Sequence, residues 1–101
     1  MSSHRVLPLE LAPKAQQDFI DILRYTGEKW GPNQLLVYRG KLDDALQAIS
    51  ASPRTGHSRI DLPPTHLAYP VGSHVIVYRV YADSVGIVRI LHQRMSLGRH
   101  V

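Results

Sequence analysis

The chain has 101 residues, no cysteine, and twelve Lys and Arg against eight Asp and Glu, for a net charge of +4. That length fits a single domain, 1–101, with one modest core, and a hydrophobic share of 44% excludes intrinsic disorder. The lack of cysteine excludes a disulfide scaffold, no signal-peptide h-region follows Met1, and no apolar run approaches the roughly 20 residues of a membrane-spanning helix, so a cytoplasmic location is expected.

Residues 5–11, Arg-Val-Leu-Pro-Leu-Glu-Leu, alternate apolar with other types and predict a short strand, which Pro8 confines to an edge. Pro13 suits a first helical turn, and Ala15, Phe19, Ile22, Leu23 and Thr26 then recur at helical spacing. Asp18 and Asp21 fall on the polar side and read as solvated surface. Trp30-Gly31-Pro32 ends this helix, because the glycine suits a C-cap and the proline cannot continue it. Pro32 opens a second helix with the stripe Leu35, Tyr38, Leu42, Ala45, Leu46 and Ile49, stopped by Ser52-Pro53. So short a joint predicts an antiparallel hairpin, with Tyr25, Trp30 and Gly31 as structural residues packed at the bend. Residues 53–65 are a loop by composition, a surface wrap pinned by Ile60 and Leu62 or a functional segment.

Three strands follow, 66–71, 74–81 and 85–92, with Gly72 starting a two-residue turn. The fold class is therefore α+β: an N-terminal strand, a helical hairpin and a three-stranded antiparallel meander. If Tyr81 pairs with Val85, the even face carries Ile76, Tyr78, Val80, Val88 and Ile90 and lies under the helices. The odd face carries Val75, Val77, Arg79, Tyr81, Val85, Ile87, Arg89 and Leu91. It is too apolar for a solvated sheet face. Either a partner covers it, or the 53–65 loop and the C-terminal tail fold back over it.

Residues 1–50 balance six basic against six acidic groups, whereas 51–101 hold six arginines against Asp61 and Asp83 alone. This excess suits an acidic partner, with a solubilising surface as the plain alternative. The six histidines show no metal-ligand spacing, and no phosphate loop or nucleophile elbow is present, so neither metal nor cofactor is expected. One constellation suits metal-free ribonuclease chemistry: Arg79, Arg89, His92, Arg94 and His100, a cation set with acid/base groups.

Several stretches carry a family resemblance: Leu11-Ala-Pro-Lys-Ala15 with Asp18 and Ile22, Tyr25-Thr26 with Trp30-Gly31, and Ser52-Pro53 with Gly56. The most specific is Gly72-Ser-His-Val-Ile-Val-Tyr-Arg-Val80 with Ile87-Val-Arg-Ile-Leu-His-Gln-Arg-Met95 and Arg99-His100. Over residues 7–100 the chain resembles ParE-type toxins of type II toxin–antitoxin modules, in the ParE/RelE superfamily. The resemblance implies a helical hairpin on an antiparallel sheet. It implies inhibition of DNA gyrase without catalysis, a block to replication, and neutralisation by a ParD-like antitoxin in a hetero-oligomer. Direct, specific nucleic-acid binding by the toxin alone is not expected. RelE-type relatives instead cleave mRNA on the ribosome. In that alternative His92, Arg94 and His100 would be the catalytic candidates, although the tail lacks the tyrosine common there. A third possibility is a degenerate toxin that retains only antitoxin binding. On the gyrase reading, the antitoxin would cover the odd sheet face, with Val75, Val77, Arg79, Ile87, Arg89 and Leu91 as binding candidates, or the groove between the helical hairpin and the sheet, and Arg94 and Arg99 are target-binding candidates.

Overall fold

The computed structural model describes residues 6–101; Arg5, the start of the predicted first strand, lies outside them. The chain forms β1 (Leu9–Leu11), α1 (Pro13–Trp30), α2 (Pro32–Ala51), a 3-10 turn (Pro53–Thr55), β2 (His66–Val71), β3 (His74–Val80), β4 (Val85–His92) and the short α3 (Leu97–His100). Each long helix opens on a proline, where the missing N–H costs nothing. A single residue, Gly31 at φ 93°, separates the two helices. That backbone conformation lies in the region side chains disfavour, so the reversal falls on the one residue without a Cβ.

The sheet order is β1-β4-β3-β2. The meander β2-β3-β4 is antiparallel, as the alternation predicts, and Gly72 at φ 55° starts its two-residue turn. The two proline-bearing segments sit at the outside: Pro70 lies in the edge strand β2, and Pro8 precedes the edge strand β1. The sheet is nevertheless mixed rather than wholly antiparallel. β1 is shorter than predicted and runs parallel to β4, Leu9 opposite Val85 and Leu11 opposite Ile87. The first and last strands of the chain are therefore neighbours.

The register explains where each face goes. Val75 pairs with Leu91, Ile76 with Ile90 and Val77 with Arg89, as the expected pairing requires. Beyond Val77 the register slips: Tyr78 pairs with Ile87 and Val80 with Val85, leaving Val88 as an extra residue and Tyr81 outside the strand. A one-residue slip sends every following side chain to the other face. Val85 and Ile87 thus join Ile76, Tyr78 and Ile90 beneath the helices, where they meet Ala15, Leu42, Ala45, Leu46 and Ile49. Val88 moves the other way and packs with the residues of the opposite face.

Buried polar groups are satisfied in this main layer. The Ser50 hydroxyl donates to the Leu7 carbonyl while the Leu7 N–H donates to the Ser50 carbonyl, tying the segment before β1 to the end of α2. The Tyr78 hydroxyl accepts from the Gly56 N–H and donates to the Pro53 carbonyl, each at 2.8 Å. The long loop is thereby anchored at its start.

The opposite sheet face carries its own small core. Val75, Val77, Ala68 and Leu91 are buried against Leu62 from the loop and Leu97 from α3. The loop and tail do fold back, pinned by Leu62; Ile60 is fully exposed and pins nothing. Among the described residues no helix is long and apolar enough to cross a membrane.

Candidate functional site

With both sheet faces covered, half of the ten exposed large apolar side chains among the described residues lie on the helical hairpin. Ile20, Tyr25 and Trp30 of α1 and Leu36 and Val37 of α2 all stand off the buried stripes. Tyr25 and Trp30 are 59% and 65% exposed, so they do not pack inside the bend as expected. The bend needs no aromatic wedge, since Gly31 alone makes the turn. The ammonium of Lys29 instead lies 5.7 Å from the centroid of each ring, a distance at which a cation is drawn to an aromatic face.

Tyr25, Lys29 and Trp30 form one wall of a groove of about 600 Å³, which Ile20, Leu36 and Val37 do not line. Asp21, Tyr25, Lys29 and Trp30 come from α1, Gln34 and Tyr38 from α2, and Ser73, His74 and His92 from the sheet. The Tyr38 hydroxyl organises the floor: it accepts from the Ser73 N–H at 3.1 Å and lies 2.6 Å from His74 Nδ1. Its ring covers Gly72, where a Cβ would approach the hydroxyl to 2.6 Å, so the turn residue must be glycine for space as well as for φ. The His74 and His92 rings meet edge to face at 5.3 Å.

Burial favours the neutral forms of Tyr38 and His74. Burial raises the Tyr38 pKa, so the hydroxyl keeps its proton. Burial lowers the His74 pKa, and His92 adds to that, while Asp18 opposes it. The unfolded chain therefore binds a proton at this histidine more readily than the native state does. Its contribution to stability is present above pH about 6.5 and is lost as the pH falls through the depressed native pKa, at up to about 1.4 kcal/mol per pH unit. Urea melts between pH 7.5 and 5 should show this loss, and His74→Gln should flatten it; an equal slope in the variant would exclude His74 as its source.

The candidate residues from the sequence meet different fates. Val75, Val77 and Leu91 are buried beneath Leu62 and Leu97 and present no open surface to a partner. Ile87 lies under the helices, because of the register slip. Arg89 is taken by the chain itself: Nε and Nη2 donate to both Asp18 carboxylate oxygens at 2.8 and 2.9 Å, and Nη1 donates to the His100 carbonyl at 3.0 Å. Asp18 is accordingly a structural anion and not solvated surface. Arg79 stands opposite Gly86 at the start of β4, whereas His92 ends that strand. At about 3.3 Å per residue the two sites are separated by roughly 20 Å, so the expected arginine–histidine cluster does not assemble.

The remaining ribonuclease candidates are similarly occupied or dispersed. His92 Nδ1 accepts from the Arg94 N–H at 3.1 Å, and His100 Nδ1 lies 2.8 Å from the Ser96 carbonyl. Arg94 and Arg99 are exposed and have no carboxylate partner among the described residues. No three metal-ligating side chains are grouped among the described residues. The groove between hairpin and sheet is the second location expected from the sequence for an antitoxin, but none of the residues singled out for that role lines it; its walls come instead from Tyr25, Lys29, Trp30, Gln34, Tyr38, Ser73, His74 and His92.

A family model described as the ParE toxin of type II toxin–antitoxin systems matches residues 9–97. Toxin ParE1 of Mycobacterium tuberculosis is 34% identical over 92 residues, covering 90% of this chain and 94% of that protein. Toxin ParE1 of Caulobacter vibrioides is 33% identical over 94 residues, covering 93% and 97%. A solved structure of a chromosomal ParDE toxin–antitoxin system from P. aeruginosa matches the fold with a TM-score of 0.74 at 18% identity, covering 86% of this chain and 96% of that one.

Proposed function

The chain belongs to the ParE toxin family of type II toxin–antitoxin systems, and on that premise we propose that it inhibits DNA gyrase by binding, without catalysis, and is neutralised by a ParD-like antitoxin. The observation that carries this reading is the exposed apolar hairpin surface of a chain whose two sheet faces are already covered. Exposed apolar area of this kind marks a protein-binding surface. An amphipathic antitoxin segment would lay its apolar side across Tyr25, Trp30, Leu36 and Val37. Of the two expected locations, the sheet face is already covered and the groove between hairpin and sheet is the one this reading keeps. Arg94 and Arg99 remain free to meet an acidic target surface, and attraction of that kind weakens with added salt.

The test of the target is direct. Purified, antitoxin-free protein should inhibit supercoiling by gyrase and leave mRNA on translating ribosomes intact. Codon-specific cleavage with unaffected gyrase would replace the proposal with the ribonuclease reading.

The test of the antitoxin surface is a substitution. Trp30 is mostly solvent-exposed, so Trp30→Ala should move stability by no more than about 0.5 kcal/mol. A buried aromatic anchor in an interface is worth about 2 kcal/mol or more, so the same variant should weaken antitoxin binding roughly thirtyfold. Unchanged affinity by calorimetry would remove Trp30 from the interface.

A further inference from the structure

The far corner of the sheet, away from the hairpin groove, holds two arginines without an ion-pair partner among the described residues. Arg54 is exposed at the 3-10 turn Pro53–Thr55, and Arg79 lies near the end of β3. Neither has a carboxylate partner among the described residues, in contrast to Arg24, Arg39, Arg59 and Arg89. Together with Ser58 and Thr65 they line a hollow of about 300 Å³. The Arg79 guanidinium is steadied over the Tyr81 ring at 5.1 Å from its centroid. An adjoining hollow of about 350 Å³ shares Arg54 and Val80 with the first, and its other walls are Leu7, Pro53, Tyr81 and Ala82. A cationic hollow thus lies beside an apolar one, with Arg54 and Val80 in the wall they share.

We propose that this corner binds single-stranded nucleic acid, with Arg54 and Arg79 gripping one backbone phosphate and the apolar hollow receiving the attached sugar and base. The guanidinium fork matches phosphate oxygens, and hydroxyls at 58 and 65 supply further donors. An acidic side chain would satisfy the arginines but would leave the second hollow unused. A nucleotide joins an anion to a flat apolar body in one unit, which fits two hollows that share a wall. Sequence plays no part in such recognition, since phosphate contacts position without specifying.

A local reporter lies beside the site. The Thr65 hydroxyl is 2.9 Å from His66 Nδ1, and the His66 pKa is lowered by burial and by the positive charge of Arg79. A bound phosphate would offset that charge and raise the His66 midpoint.

The experiment titrates a fluorescent oligothymidylate into the full chain at low salt and follows anisotropy. Arg54→Gln and Arg79→Gln should each weaken binding about tenfold, by loss of a charge-assisted contact. Each should also reduce the slope of log affinity against log salt by about 0.7. Arg39→Gln, remote on α2 and exposed, should change affinity little. In proton NMR, the oligonucleotide should raise the His66 midpoint in the parent chain and not in Arg79→Gln. Equal affinity and slope in the parent and both corner variants would overturn the proposal. So would polyglutamate binding that depends on Arg54 and Arg79 while oligothymidylate binding does not, which would assign the corner to an acidic protein.

Discussion

Asp18→Ala should cost the fold about 3–5 kcal/mol, the expected penalty for stranding one member of a largely buried ion pair. The side chains of Arg89 and Asp18 are only 17% and 14% exposed. Asp18 accepts three hydrogen bonds, two from Arg89 and one from the Ile90 N–H at 2.9 Å. The geometry explains why an anion belongs here. β1 pairs with β4 only from Val85 to Ile87, so the edge of β4 beyond Ile87 has lost its neighbouring strand. Asp18 of α1 reaches that bare edge and satisfies Ile90, while Arg89 neutralises the carboxylate and carries the link on to the tail carbonyl of His100. Alanine removes all three acceptor contacts and leaves a guanidinium partly desolvated. Asp18→Asn keeps an acceptor for Ile90 and should lose less. Urea unfolding measures both, and an Asp18→Ala midpoint within about 1 kcal/mol of the parent would exclude this clamp as a main support.

Leu97→Ala should cost about 2–5 kcal/mol, the range for truncating a fully buried leucine. Leu97 is the tail's anchor in the smaller core, packed with Leu62, Val75, Val77 and Leu91. The size of the loss depends on whether the short α3 can settle into the space that remains. Its position makes the effect more than local, because lifting α3 uncovers three apolar strand residues and loosens the chain at His100, which Arg89 holds. The variant should therefore both melt earlier and bind a hydrophobic dye more strongly. A near-parent melting temperature would mean that Leu62 alone suffices to cover that face.

The sequence makes some of this legible and hides the rest for physical reasons. Gly31-Pro32 and Ser52-Pro53 punctuate the helices by local chemistry, and Gly72-Ser73 fixes the turn between β2 and β3. Each of these depends on residues close in the chain. The slip between Val77 and Tyr78 carries no such signature, yet it transfers Val85 and Ile87 from one face to the other. The parallel pairing of β1 with β4 is equally invisible to periodicity, since alternation predicts a strand and not its neighbour. Asp18 lies on the polar side of α1 as predicted; that this side meets the edge of β4 is a tertiary fact. Trp30 follows the same logic: its place beside a tight bend suggests burial, but one glycine completes the bend without it. For the candidate site, helix stripes reveal the core and only by exclusion the residues left facing outward.

The pairing of the first strand with the last sets a schedule for biosynthesis. Arg89 follows its partner Asp18 by 71 positions, and β1 has no sheet neighbour until β4 exists. At about 5–20 residues per second, a ribosome needs roughly 4–14 s to cross that interval. During it the nascent hairpin can form, but the sheet edge, the Asp18 clamp and the seat for Leu97 cannot. The sheet is thus completed only once residues 85–97 have been made, and until then the hairpin stands without the layer that buries its inner side.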